Sequence, residues 1–112
     1  MSTFSLPKYL IIKKSKEFNE IFTCGEMVRS KYFIAFIQKD NDLKIGFTAQ
    51  KGLKTKVVRN RLKRRTRELW RLHFRDFSLS GRIVLMAKKN ADGVKFSFLQ
   101  EDFLKLLKKL TN

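Results

Sequence analysis

Ten basic residues fall between Lys54 and Arg75: Lys54, Lys56, Arg59, Arg61, Lys63, Arg64, Arg65, Arg67, Arg71 and Arg75. Glu68 is the only acid among them. No Gly or Pro interrupts Val57 to Phe74, so the stretch reads as one long helix. At about 100° per residue, Val58, Leu62, Thr66, Leu69 and His73 fall within about 40° of one direction, with Trp70 at the edge. Asn60, Arg64, Arg67 and Arg71 fall within about 40° of the opposite direction, with Lys63 beside them. Such a helix has a dry face for a core and a guanidinium-rich face for a partner. A guanidinium can give two parallel hydrogen bonds to one phosphate, which an ammonium cannot. Asn60 adds a side chain that both donates and accepts. The chemistry suited to this row is binding of phosphodiesters and base edges.

The residues that would do bond-making chemistry are sparse. His73 is the sole histidine and falls on the apolar face, so it reads as a core residue. No Cys and His cluster has metal-ligand spacing. The ten acids are scattered, and none forms the carboxylate set of a two-metal site. Glu17, Glu20, Glu101 and Asp102 read as solvated helix faces. There is no phosphate-cradling Gly-rich loop. The expectation is that no protein side chain is catalytic and that the chain holds no metal or cofactor of its own.

Composition points the same way. The chain has 112 residues, the size of one domain, with 26 Lys and Arg against 10 Asp and Glu, a formal charge of +16. That excess implies a polyanionic partner, nucleic acid before an anionic membrane. Eleven Phe and an apolar fraction of 43% argue for a folded core rather than disorder. The apolar stripe of the basic helix is needed for that core, which weakens a membrane reading. No apolar run approaches the ~18 residues of a membrane span. Tyr9 to Ile12 is too short for a signal peptide and is followed by Lys13-Lys14. Cys24 is the only cysteine, so no internal disulfide can form, and it reads as a small buried apolar residue. The cytoplasm is the expected location.

The elements that must position the basic helix follow in order. Residues 1–8, with Pro7, read as an extended lead-in. Ser15 to Thr23 reads as a helix, with Phe18, Ile21 and Phe22 at helical spacing and Gly25 as its stop. Lys31 to Gln38 is rich in aromatic and β-branched residues and reads as a strand. Asp40 to Asp42 is a turn, and Lys44 to Ala49 a second strand, expected as its hairpin partner. A further short strand can sit near Met27 to Arg29. Lys51 to Lys56 is a basic loop leading into the long helix. Ser78 to Gly81 breaks the chain, and Arg82 to Lys88 reads as a buried central strand. Asn90 to Gly93 is a turn. A last helix starts at Ser97, where Gln100 completes a capping-box pattern, and carries Leu99, Phe103, Leu106, Leu107 and Leu110 as one stripe. The order is α-β-β-α-β-α, an α+β sandwich of a small sheet with helices on one side. If the strands joined by the long helix are parallel neighbours, the general rule gives a right-handed crossover.

Arg59-Asn60-Arg61-Leu62-Lys63-Arg64, followed by Arg67-Glu68, resembles the RNR signature of the bacterial ribonuclease P protein family. Lys44 to Lys51 resembles that family's strand into a basic loop, and Phe18, Phe22 and Gly25 match its first helix and stop. The resemblance covers nearly the whole chain in the right order. Lys54 and Lys56 stand where the family usually has small residues, and Gln50 where a small hydroxyl residue is common. The resemblance implies a mainly antiparallel four-stranded sheet with three helices and an unusual left-handed βαβ crossover. It implies that Arg59, Asn60, Arg61, Lys63, Arg64, Arg67 and Arg71, with Lys51, Lys54 and Lys56, bind the catalytic RNA subunit of ribonuclease P. It implies that Phe18, Phe22, Ile34 and Phe36 line a cleft for the single-stranded 5′ leader of precursor tRNA. Cleavage would then be the work of the RNA with magnesium, with no small-molecule substrate. The alternative is a structural RNA-binding protein, such as a ribosomal protein. A nuclease acting without RNA is a more distant third reading.

Overall fold

A computed structural model describes residues 9–52 and 55–111. The expected lead-in over residues 1–8 and the loop residue Lys54 lie outside the described residues. The elements are β1 (Leu10–Ile11), α1 (Ser15–Cys24), β2 (Glu26–Arg29), β3 (Phe33–Gln38), β4 (Lys44–Ala49), α2 (Lys56–His73), β5 (Arg82–Ala87) and α3 (Phe96–Thr111). Single 3-10 turns follow α2 at Phe74–Asp76 and β5 at Lys89–Ala91.

The five strands form one mixed sheet in the order β1-β4-β5-β3-β2. β4 is parallel to both β1 and β5, while β3 is antiparallel to β5 and β2. The expected β3–β4 hairpin is therefore wrong: β5 lies between them. Hydrophobicity explains the insertion. Ile83, Val84 and Leu85 are fully buried, so β5 has no face or edge suited to water and takes the centre. The Asp40–Asp42 turn only redirects the chain. The expected sheet was mainly antiparallel and four-stranded; the short β1, which has only two residues, supplies the fifth strand and one of the two parallel pairings.

Period-two alternation splits the core in two. Phe33, Ala35, Ile83, Leu85, Ala87, Ile45 and Phe47 face α2 and α3 and meet Leu62, Leu69, Trp70, Leu99, Phe103, Leu106 and Leu107. Ile34, Phe36 and Val84 face the other way and meet Ile12, Ile21, Phe18 and Phe22 of the α1 region. The helices thus cover both faces of the sheet, not one as expected. Each large side chain so buried contributes about 1.5–3 kcal/mol.

Lys44 reveals the hand of the β4–α2–β5 crossover. Its backbone N–H donates to the Gly81 carbonyl beside β5 at 3.0 Å, while its side chain pairs with Glu17 on the α1 face. For an L-residue on a rising strand, seen with its side chain toward the viewer, the N–H points right. β5 therefore lies to the right of β4 seen from α1, and to the left seen from α2. A crossover through α2 that rises again to the left is left-handed. The general right-handed preference fails here, and the hand implied by the family resemblance holds.

Two tight approaches seat α1. A Cβ on Gly25 would come within 2.6 Å of the Ile21 carbonyl and 2.9 Å of that of Ile37. A Cβ on Gly46 would come within 2.8 Å of the Phe18 ring. Cys24, expected to be buried, is exposed. It falls roughly 110° from the centre of the Phe18, Ile21 and Phe22 stripe.

Candidate nucleic-acid interface

α2 opens with a cap that the sequence reading did not single out. The Thr55 hydroxyl accepts from the Val58 N–H at 3.2 Å, an interaction that contributes about 1 kcal/mol. Leu62, Thr66, Leu69 and Trp70 are the buried residues of the helix. Thr66 fits that dry face because its hydroxyl donates to the Leu62 carbonyl at 2.8 Å. Trp70 stacks on Phe74, and Tyr9 packs edge-on against both. Val58 and His73, also expected on this face, are half-buried. His73 Nε2 lies 3.2 Å from Gln100 Oε1. That contact takes up the side chain expected to close a capping box, and α3 begins one residue earlier, at Phe96.

The opposite face of α2 carries Asn60, Arg64, Arg67 and Arg71, all exposed, with Lys63 half-buried beside them. The Arg67 guanidinium sits 6.0 Å from the centre of the Phe47 ring. Lys51, in the turn after β4, and Lys56, the first residue of the helix, are both exposed. The two arginines of the RNR motif point apart. Arg59 Nη1 donates to the Gln50 carbonyl at 3.5 Å, on the β4 side. Arg61 pairs with Asp92 at 3.0 Å, and Arg65 donates to the Val94 carbonyl at 3.1 Å, on the α3 side. Arg61 and Arg65 thus brace α2 against the segment before α3. Asn60, Arg64, Arg67 and Arg71 form the outward row, with Lys63 beside it and Arg59 at its β4 edge.

The second predicted set assembles on the other face of the sheet. The Phe22 and Phe36 rings meet edge-on at 4.8 Å, and Phe18 lies 6.2 Å from Phe22. Ile34 and Phe36 are each only 9% exposed and belong to the small core beneath α1. Phe18 and Phe22 are half-buried and keep ring surface open to solvent. Strand register extends this surface to residues the sequence reading missed. Met27 pairs with Phe36, Arg29 with Ile34, and Met86 with Ile34. Met27 is 48% exposed, and its sulfur accepts from Arg29 Nε at 3.1 Å. Period-two alternation along β2 and β5 could have found them, had the pairing been known.

Several acids expected to be solvated are engaged instead. Arg82 gathers Glu20 at 3.1 Å, Asp40 at 3.2 Å and Glu17 at 3.5 Å. The Asn41 backbone N–H donates to the Asp40 carboxylate at 2.7 Å and, with Arg82 nearby, holds its pKa below the usual carboxylate value. Asp102 is buried and accepts from Ser30 Oγ at 2.7 Å, Tyr32 N–H at 2.8 Å and Lys31 N–H at 3.1 Å. It fastens α3 to the turn between β2 and β3. Among the described residues, no three His, Cys, Asp or Glu side chains come together in a way that could hold a metal ion. Nor is any described helix long and apolar enough to cross a membrane.

Fold and site together define a small α+β protein with one arginine-faced helix and, on the opposite side of the sheet, an aromatic surface. Comparison with known proteins makes this specific. Residues 6–111 match the family model described as Ribonuclease P. The ribonuclease P protein component of Desulfosudis oleivorans is 36% identical over 97% of this chain and 92% of its own length. That of Geotalea uraniireducens is 31% identical over 98% of both. The solved RNase P protein of Staphylococcus aureus superposes with a TM-score of 0.79 at 26% identity, over 94% of this chain and all of that one. The RNase P protein of Thermotoga maritima gives 0.78 at 25% identity, over 90% and 97% of the two chains. The chain belongs to the ribonuclease P protein family, and the ribosomal-protein alternative falls away.

Proposed function

We propose that this protein is the protein subunit of a ribonuclease P holoenzyme that removes the 5′ leader of precursor tRNA in the cytoplasm. α2 docks on the RNA subunit through Asn60, Arg64, Arg67 and Arg71, with Arg59, Lys51, Lys54, Lys56 and Lys63 around them and Arg61 at the α3 edge. The leader lies against Phe18, Phe22, Ile34 and Phe36. The RNA with magnesium carries out the hydrolysis, and the protein holds the substrate and screens charge. The observation that carries this reading is the outward row of α2: four polar or cationic side chains on one helix face, with Glu68 the helix's only acid and in no ion pair with any described residue. Stacking on the half-open rings of Phe18 and Phe22 suits an unpaired leader. It tolerates any base and contributes about 1–3 kcal/mol per base.

Reconstitution tests the proposal. Purified protein, a bacterial ribonuclease P RNA and a precursor tRNA with a 5′ leader are mixed at low magnesium, beside protein-alone and RNA-alone controls. Accurate cleavage only in the mixture is expected. Binding without any gain in cleavage, across several such RNAs, would refute the assignment. Cleavage by protein alone would refute the placement of chemistry on RNA.

A further inference from the structure

A second basic feature lies on the face of the sheet opposite α2. An open hollow of about 470 Å³ at the N-terminal end of α1 is lined by Lys13, Lys14, Lys16, Lys44 and Arg82, with Glu17 and Glu20 as its only acids. Lys44 and Arg82 are already committed. Lys44 pairs with Glu17 at 3.4 Å, and Arg82 reaches Glu17, Glu20 and Asp40. These pairs satisfy both carboxylates from within. Lys13, Lys14 and Lys16 are exposed and make no ion pair with any described residue. The lining therefore carries net positive charge concentrated on three unpaired ammonium groups, which repel one another until an anion joins them.

Position decides which anion. An RNA subunit docked on the outward face of α2 is separated from this hollow by the whole sheet. The hollow shares α1 with the aromatic surface: Glu17 lines one and Phe18, the next residue, lines the other. A strand laid along Phe22 and Phe18 has to turn only around the start of α1 to reach the lysines. Lysine meets phosphate as a point charge and reads no base, so binding here depends on strand length and not on sequence. We propose that the Lys13, Lys14 and Lys16 hollow binds backbone phosphates of the precursor tRNA leader, beyond the nucleotides held by Phe18 and Phe22. The inference rests on the function proposed above.

Holoenzyme carrying either the native protein or the K13Q/K14Q/K16Q variant tests it. Each is titrated with precursor tRNAs whose leaders have about four or about sixteen nucleotides, the limits of single-strand site sizes on small domains. The expected result is about ten-fold weaker binding of the long-leader substrate by the variant, with little change for the short one. The log–log salt slope for the long leader should flatten by about 0.7 for each phosphate that the variant no longer neutralises. Altering the bases of the distal leader should leave the effect intact. Equal weakening for both leaders, or none for either, overturns the site. The single variant K14Q, expected to flatten the slope by the amount of about one phosphate, serves if the triple variant folds poorly. Failure of the native holoenzyme to cleave would refute the proposed function. Native cleavage without a leader-length effect of the lysines refutes only the hollow.

Discussion

Arg64 and Arg67 stand on the outward face of α2 and make no ion pair with any described residue. An exposed arginine outside any ion pair can be removed with little disturbance of the core, Arg67 giving up only its approach to the Phe47 ring at 6.0 Å, so its loss reads directly on binding. Arg64→Ala or Arg67→Ala should weaken the RNA-subunit complex and flatten its log–log salt dependence by about 0.7–0.9. An unchanged slope, measured by filter binding across a salt series, would mean that these side chains do not meet phosphate. Phe22 carries a mixed duty: its ring packs on Phe36 at 4.8 Å and still faces solvent. Phe22→Ala should weaken precursor tRNA more than mature tRNA, since only the former has a leader to stack. Equal weakening for both would make Phe22 a core residue and nothing more.

At the scale of elements, the sequence was legible where a pattern stays within one segment. β4 was read with its observed bounds, and the dry and charged faces of α2 followed from helical spacing, because a period depends only on near neighbours. Pairing depends on distant partners, and there the reading failed. Nothing within Lys31 to Ala49 says that β5, more than thirty residues downstream of β4, will enter between β3 and β4. β1 has two residues, too few to show any period. Asp102 shows the same limit. On its own helix it looks like half of an exposed acidic pair. Its partners, Ser30, Lys31 and Tyr32, lie about seventy residues away. Asp102→Ala would take the acceptor from the Lys31 and Tyr32 N–H groups and leave Ser30 Oγ only its longer contact to the Phe33 carbonyl at 3.3 Å, at a site only 8% exposed. That should cost about 1–3 kcal/mol or more, read as a lowered midpoint of denaturant unfolding. A midpoint within error of the native one would show that water replaces the carboxylate at no cost.

The whole molecule carries its charge unevenly in use as well as in sign. Of the ten acids, Glu17, Glu20, Asp40 and Asp92 are bound in ion pairs and Asp102 in hydrogen bonds. The surface left over is largely cationic. Its shortest dimension is 25 Å, less than the screening length of about 30 Å at 0.01 M salt and well above the 8 Å at 0.15 M. At low salt, then, the arginines of α2 and the lysines beside α1 repel through the body of the protein. At 0.15 M each patch repels only itself. Raising sodium chloride from 0.01 to 0.15 M should therefore raise the melting temperature of the free protein. A single-stranded RNA oligonucleotide should raise it further at the same ionic strength, since its phosphates bind the folded surface and not merely the space around it. A ligand at one hundred times its dissociation constant adds about 2.7 kcal/mol to stability. A melting temperature that is flat or falling across the salt series would mean that self-repulsion is already relieved within the fold. A rise with salt but none with RNA would mean that the cationic surface screens without binding.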